Sequence, residues 1–143
     1  MLKNIPKLVS PELLKILCEM GHGDEIVIAD ANFPSNEMGR RVIRADGISG
    51  TAMLDAVLTL IPADTYSDPN MILMQLMDCD VGVVDPAIWK EYAKIAAEKD
   101  GNVKIGNIDR FEFYERARKA YAVIATGEEA IYANIIIKKG VIK

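Results

Sequence analysis

Cysteine, histidine and tryptophan are scarce in this 143-residue chain, which contains two, one and one of them respectively. Cys18 and Cys79 lack the close spacing of paired metal ligands, and a single histidine does not complete a zinc site with them. Two isolated cysteines are typical of a reduced chain. We therefore expect a cytoplasmic protein without a bound metal.

Long hydrophobic runs and an excess of positive charge are also absent. No apolar run is long enough to cross a membrane, and residues 1–6 lack the apolar segment of a signal peptide. The formal net charge is −4, whereas binding to nucleic acid requires a basic patch that neutralises phosphates. We therefore expect neither a membrane nor a nucleic acid as a partner.

Motifs that bind nucleotides or supply a covalent nucleophile are missing as well. The chain has no Walker A sequence, no Gly-x-Gly-x-x-Gly and no Gly-x-Ser-x-Gly. These absences exclude a P-loop, a dinucleotide-binding turn and a serine hydrolase elbow. The chemistry must therefore be sought in other polar groups.

The residues that are present describe one globular domain over residues 1–143. Apolar residues make up 50% of the chain and charged residues 27%, and the length is that of a single domain. Helices are expected at about residues 11–20, 51–60, 86–99 and 110–119, and strands at 25–29, 41–45, 70–77, 103–105, 121–125 and 131–138. This order predicts an α/β fold, a single-domain layered sandwich whose mixed, mostly parallel sheet is flanked by helices. The two consecutive strands at the end predict an antiparallel pair.

The only histidine, His22, lies in the turn Gly21-His22-Gly23-Asp24 between a predicted helix and a predicted strand. Imidazole is the side chain that ordinarily titrates nearest neutral pH, and flanking glycines allow the backbone to approach a ligand closely. His22 is therefore the candidate for proton transfer. A turn that ends the helix, with a histidine in it by chance, explains the same local pattern.

Asp30 follows the apolar strand at 25–29, at the end where ligands gather in open α/β sheets. It is a candidate for ligand binding, although an aspartate here can also cap the loop 31–36 through the downstream backbone. His22 precedes the same strand, so the two side chains would be about 17 Å apart. They can share one pocket only if the chain folds back or a second subunit supplies one of them.

Two later polar groups interrupt segments that are otherwise structural. Arg110 and Tyr114 are one turn apart on a predicted helix and can share a face, which also describes an ordinary salt-bridged helix surface. Tyr132 and Asn134 add a phenol and an amide to the last apolar strand, and both groups donate and accept hydrogen bonds. This mixture suits the hydroxyls of a sugar. A strand end that faces solvent is the alternative.

Several longer stretches match one known family. They are Leu8-Val9-Ser10-Pro11-Glu12-Leu13-Leu14, Glu19-Met20-Gly21-His22-Gly23-Asp24-Glu25, Asp30-Ala31-Asn32-Phe33-Pro34, Phe113-Tyr114-Glu115-Arg116-Ala117, Thr126-Gly127-Glu128 and Tyr132-Ala133-Asn134. In these stretches the chain resembles the family of ribose pyranases and fucose mutarotases. The resemblance is collinear over nearly the whole chain and weakest over residues 76–108.

The resemblance implies a cofactor-free isomerase that interconverts the anomers of a free monosaccharide, with L-fucose as the expected sugar and a ribose pyranase-like fold. It places the catalytic histidine at His22. The sugar-binding residues that it implies are Asp30, Arg110, Tyr132, Ala133 and Asn134. It also implies a homo-oligomer, a ring-shaped decamer in which neighbouring subunits complete each site, and this would remove the distance problem between His22 and Asp30.

The preferred sugar and the activity itself both have alternatives at this point. Tyr132-Ala133-Asn134 is typical of the ribose pyranase branch, which converts D-ribose between its ring forms, whereas the turn around His22 and the segment Phe113-Tyr114-Glu115-Arg116 favour the fucose branch. A non-catalytic sugar-binding module would use the same pocket. A structural subunit that holds His22 in a buried turn would bind no sugar.

Overall fold

A computed structural model describes all residues, 1–143, as five α-helices and six β-strands. The helices are α1 (Pro11–Glu19), α2 (Ser35–Met38), α3 (Gly50–Leu60), α4 (Ile88–Lys99) and α5 (Arg110–Lys119). The strands are β1 (Glu25–Ala29), β2 (Val42–Ala45), β3 (Met71–Met74), β4 (Ile105–Ile108), β5 (Ala122–Thr126) and β6 (Ile135–Lys138). A 3₁₀ turn covers Asp78–Asp80. No helix combines the length and the apolar character needed to cross a bilayer.

The six strands form one sheet in the order β2-β5-β1-β6-β3-β4. Only β6 runs antiparallel to its neighbours, β1 and β3, and the other adjacent strands pair in parallel. The predicted mixed, mostly parallel sheet is therefore confirmed. The two last strands do not pair with each other, because β5 and β6 lie on opposite sides of β1.

Helices cover both faces of this sheet, which explains the continuous apolar run of β1. Ile26 and Ile28 point to one face and pack with residues of α1, α3 and α4. Val27 and Ala29 point to the other face and pack with residues of α2 and α5. A strand buried on both sides has no polar face, so it does not alternate.

The topology gives the sheet two edges of different chemistry. The carboxyl ends of β1, β3 and β4 and the amino end of β6 share one edge, which we call the cleft edge. The opposite edge holds the turn Gly21–Asp24 before β1 and the segment Asp64–Asn70 before β3. Asp30 and His22 therefore belong to different edges.

Several elements differ from those predicted by the sequence. Strand β3 is shorter, Met71–Met74 against 70–77, and β4 lies later, at Ile105–Ile108 against 103–105. Helix α4 begins at Ile88, two residues after Pro86, because Asp85 and Ala87 form a turn in which the Ala87 N–H donates to the Asp85 carbonyl at 2.9 Å. Strand β6 begins at Ile135 because Tyr132 has a positive φ of 59°, which ends an extended run. The short helix α2 lies where only a loop was expected.

Gly127, which follows β5 at the cleft edge, has no room for a side chain. A Cβ atom there would lie 1.9 Å from the Asp46 carbonyl oxygen. We expect Gly127→Ala to lower the free energy of unfolding by about 1–3 kcal/mol, since the backbone must move to admit the methyl group. Urea titration followed by circular dichroism measures the change.

Gly47→Ala is the matched control, because a Cβ at Gly47 meets nothing within 4 Å. Its expected change is within about 0.5 kcal/mol. Equal destabilisation by the two substitutions would contradict the close approach of Gly127 to Asp46.

Candidate functional site

The cleft edge contains a pocket of about 210 Å³ that gathers five of the residues singled out from the sequence. Its lining residues are Asp30, Asn32, Phe33, Met74, Met77, Arg110, Tyr114, Ile131, Tyr132 and Asn134. A larger cavity of about 290 Å³ lies beneath the N-terminal segment, but its only charged lining residue is Lys7. The smaller pocket combines apolar walls with convergent polar groups, which is the usual composition of a ligand site.

Asp30 is buried at the end of β1 and is tied to the last strand. Its backbone N–H donates to Asn134 Oδ1 at 2.8 Å, and its carboxylate accepts the Asn32 N–H at 3.0 Å. Burial raises the pKa of Asp30, while hydrogen bonds from the backbone of Asn32, Ala133 and Phe33 and from the Asn134 side chain oppose that shift. The loop-capping bond expected from the sequence is present, and the carboxylate also lines the pocket.

Ala133 differs from the other predicted binding residues because its side chain is buried and does not line the pocket. It contributes its backbone, which helps to lower the pKa of the Asp30 carboxyl against the effect of burial. Its carbonyl accepts the Tyr92 hydroxyl at 2.9 Å, and the neighbouring Tyr132 carbonyl accepts the Trp89 indole N–H at 2.7 Å. Two aromatic side chains of α4 therefore hold the segment that forms one wall of the pocket.

Arg110 is the first residue of α5, whose N-cap Asp109 accepts the N–H groups of Phe111 and Glu112, each at 3.0 Å. Its Nε donates to the Tyr114 hydroxyl at 3.1 Å, so the two side chains share a face as the sequence predicted. Arg110 takes part in none of the ion pairs of the chain. The alternative of a salt-bridged surface does not describe this residue. Its Nη1 contacts Met77 Sδ at 3.8 Å, and its Nη2 makes no hydrogen bond within the chain.

His22 lies at the opposite edge of the sheet and pairs with a carboxylate that sequence reasoning missed. His22 Nε2 is 3.0 Å from Asp64 Oδ1, and the side-chain exposures are 47% for His22 and 3% for Asp64. Asp64 also accepts the Ser67 hydroxyl at 2.7 Å and the Tyr66 N–H at 3.2 Å. The imidazole is thus accessible on one side and held on the other, with Nδ1 as the nitrogen that does not face Asp64.

The Asp64 carboxylate is stabilised in its ionised form. The Ser67 hydroxyl bond is the largest cause, and His22 and the Tyr66 N–H add to it, so that the pKa of Asp64 falls to about 2 although burial opposes the shift. Asp24, the carboxylate nearest to His22 in sequence, instead accepts the Gly21 N–H at 2.8 Å and closes the turn.

Asp64, Tyr66 and Ser67 carried one signal that could have identified them. They belong to a polar run that immediately precedes the apolar strand β3, and β3 runs parallel to β1 with β6 between them. The starts of β1 and β3 consequently lie at the same edge. Without the strand order, the contact between His22 and Asp64 cannot be predicted, because the two residues are 42 positions apart along the chain.

The structure therefore brings Asp30, Arg110, Tyr132 and Asn134 together and leaves His22 outside their pocket. The five residues of β1 separate Asp30 from His22, which is about 17 Å along an extended strand. The loop after Asp30 forms α2 and does not fold back toward His22. No cluster of three or more His, Cys, Asp or Glu side chains is arranged to hold a metal ion.

The comparisons with known proteins cover nearly the whole chain and therefore both edges of the sheet. The model of the RbsD / FucU transport protein family matches residues 3–142. The L-fucose mutarotase of Histophilus somni (strain 2336) is 51% identical over 142 residues, 99% of this chain and 97% of that protein. The fucose mutarotase of Streptococcus pneumoniae, solved in complex with L-fucose, has a TM-score of 0.92 and 47% identity over 99% of this chain and 100% of that one. The Bacillus subtilis RbsD complexed with D-ribose is more distant, with a TM-score of 0.72 and 25% identity over 100% of both chains.

The pairing of Asp64 predicts a particular dependence of stability on pH. Its folded pKa of about 2 lies below the ordinary 3.8, so its ionised form stabilises the folded chain above pH 3.8 and this stabilisation is lost as the pH falls toward 2. We expect Asp64→Asn to be less stable than the unsubstituted chain at pH 7. The difference should shrink between pH 4 and pH 2.

Chemical denaturation at a series of pH values measures this difference. Asp78→Asn serves as the control, because Asp78 is exposed and makes no contact with His22 or Asp64. We expect it to change stability little at any of these pH values. A difference between Asp64→Asn and the unsubstituted chain that stays constant from pH 7 to pH 2 would contradict the assignment.

Proposed function

This chain belongs to the RbsD/FucU family, and on that premise we propose that it interconverts the α and β anomers of free L-fucose. The observation that carries the proposal is the pocket that combines Asp30, Arg110, Tyr132 and Asn134. Carboxylate, guanidinium, phenol and amide together supply the donors and acceptors that a ring of hydroxyls requires. The name of the H. somni relative and the sugar in the S. pneumoniae structure support L-fucose.

Anomer exchange asks little of an enzyme beyond binding and proton transfer. The ring opens when a proton reaches the ring oxygen and another leaves the anomeric hydroxyl, and it closes on the other face of the carbonyl. No electrons and no groups pass between molecules. Acid–base side chains therefore suffice, and such catalysis contributes about 10²–10⁴-fold.

We assign the proton transfer to His22 and the binding of the sugar to the pocket. Asp64 holds His22 Nε2, so Nδ1 is the ring nitrogen that exchanges a proton with the sugar. Asp30 and Arg110 form charge-assisted hydrogen bonds to hydroxyls. Tyr132 and Asn134 orient the ring, and Ala133 contributes through its backbone.

His22 and the pocket must meet for this assignment to hold, and one chain keeps them at opposite edges of the sheet. We propose that the protein is a homo-oligomer in which His22 of one copy reaches the pocket of its neighbour. A ring of ten copies is the assembly that the family resemblance implies. Cys18 and Cys79 are free and exposed, which suits our assignment of the protein to the reducing cytoplasm.

D-Ribose is the second candidate substrate. Tyr132-Ala133-Asn134 has the alanine that is typical of the ribose pyranase branch, and the B. subtilis RbsD was solved with D-ribose. The fucose assignment is preferred because identity to the L-fucose mutarotase of H. somni is 51%, against 25% to RbsD.

The direct test is two-dimensional exchange NMR on the anomeric protons of the sugar. The unsubstituted protein should accelerate α/β exchange of L-fucose more than that of D-ribose or D-galactose. His22→Ala should lose about 10²–10⁴-fold of the acceleration with its fold intact, since only the proton-transfer group is removed. Circular dichroism provides the control for folding.

Each other outcome has a distinct meaning. Exchange at the buffer rate with all three sugars would disprove the mutarotase function. Saturable binding without acceleration would identify a non-catalytic sugar-binding module, and the absence of binding would leave only a structural role. Faster exchange of D-ribose than of L-fucose would reassign the substrate.

A mixing experiment tests the shared site. His22→Ala and Asp30→Ala each remove one half of every site, so neither protein alone should be active. When the two are unfolded together and refolded as a mixture, about a quarter of the sites should combine an intact His22 with an intact Asp30 from the neighbouring copy. Light scattering measures whether the assembly reaches ten copies. A mixture that stays inactive while assembling normally would contradict a site shared between subunits.

A further inference from the structure

The hydroxyl of Tyr132 is held by a turn beside the pocket for which the sequence suggested no role. The phenol donates its proton to Asp80 Oδ2. Its oxygen accepts the Met77 N–H at 3.3 Å. Both partners belong to the 3₁₀ turn Asp78–Asp80 and its N-cap, within the stretch 76–108 where the family resemblance is weakest.

A tyrosine hydroxyl has a single proton to donate. The Tyr132 hydroxyl donates this proton to Asp80, and its oxygen already accepts one hydrogen bond from the Met77 N–H. The phenol can therefore offer a ligand only its remaining lone pair, as an acceptor. The carboxylate of Asp80 makes the bond charge-assisted, and such bonds hold their geometry more strongly than neutral ones. The hydrogen bond to Asp80 also raises the pKa of Tyr132, in agreement with a phenol that donates its proton to a carboxylate.

Asp80 does not line the pocket, and its own position is fixed by the backbone. Its N–H donates to the Met77 carbonyl at 2.9 Å, and its carbonyl accepts the N–H groups of Val83 and Val84 at 3.0 and 2.9 Å. Met77 also contacts Arg110, with Nη1 at 3.8 Å from Sδ. The turn therefore touches two of the proposed sugar-binding side chains, although it contributes neither.

We propose that Asp80 is a positioning residue for the sugar, which fixes the Tyr132 hydroxyl as a hydrogen-bond acceptor for a hydroxyl group of the substrate. The proposal rests on the sugar-binding role of the pocket. It also predicts specificity for the substrate, because the sugar hydroxyl that contacts Tyr132 must donate the hydrogen bond. It also assigns a function to the turn Asp78–Asp80.

A double-mutant cycle tests whether Asp80 acts through the Tyr132 hydroxyl. The proteins are the unsubstituted chain, Asp80→Ala, Tyr132→Phe and the double variant. Asp78→Ala is the matched control, since it removes the same charge from the same turn at an exposed residue. For each protein, exchange NMR yields kcat and KM for L-fucose.

Affinity for L-fucose is measured separately from turnover through the fluorescence of Trp89. This is the only tryptophan in the chain, and its indole N–H donates to the Tyr132 carbonyl at 2.7 Å. It therefore reports on the same segment without an added label. A protein that binds L-fucose without accelerating exchange would overturn the mutarotase function, while the affinity cycle would still test Asp80.

For Asp80→Ala we expect KM and the dissociation constant for L-fucose to rise about three- to tenfold, with a smaller change in kcat. This is the effect of losing one well-placed hydrogen bond. Asp78→Ala should resemble the unsubstituted chain. The double variant should be no weaker than Tyr132→Phe alone, because Asp80 has no hydroxyl left to orient. Effects that multiply in the double variant, or an unchanged affinity in Asp80→Ala, would overturn the proposal.

Discussion

The antiparallel insertion of β6 between β1 and β3 is the constraint on which the pocket depends. In a purely parallel sheet, the segment before the last strand would lie at the opposite edge from Asp30. Because β6 runs the other way, Tyr132, Ala133 and Asn134 come to the cleft edge, and Asn134 Oδ1 accepts the Asp30 N–H at 2.8 Å. The acid at the end of one strand and the polar segment at the start of another thus form one surface.

The same topology separates the binding groups from the imidazole. Strands β1 and β3 are parallel and enter the sheet at the far edge, where His22 and Asp64 meet. A rigid sheet buried on both faces leaves no path by which one chain closes this gap. The proposed proton-transfer group and the proposed binding groups thus lie at different edges of the sheet. Our proposal joins them by bringing His22 of a second copy of the chain to the pocket.

Local rules predicted most of the elements, and they failed where distant contacts decide the backbone. Ser10 caps α1 through a bond to Leu13 N–H, as its position before Pro11 suggested. The predicted start of β6 was wrong because Tyr132 adopts a positive φ. The Trp89 side chain of α4 holds this backbone by donating a hydrogen bond to the Tyr132 carbonyl. No local pattern encodes that contact. Asp30 was found from a predicted strand end, Arg110 from a predicted helix face, and Tyr132 and Asn134 from polar residue types in an apolar strand, with the family resemblance supplying their roles. Asp64 required the strand order.

Two buried carboxylates illustrate how the fold divides the chemistry. Burial raises the pKa of Asp30, so its charge is costly and gains from a ligand that donates hydrogen bonds. Asp64 receives a hydroxyl, a backbone N–H and the imidazole, and its pKa falls to about 2. It therefore stays ionised beside His22 across the physiological range. Environments that push two acids in opposite directions mark different roles: Asp64 holds the imidazole with a permanent charge, whereas Asp30 is the buried carboxylate of the pocket to which we assign sugar binding.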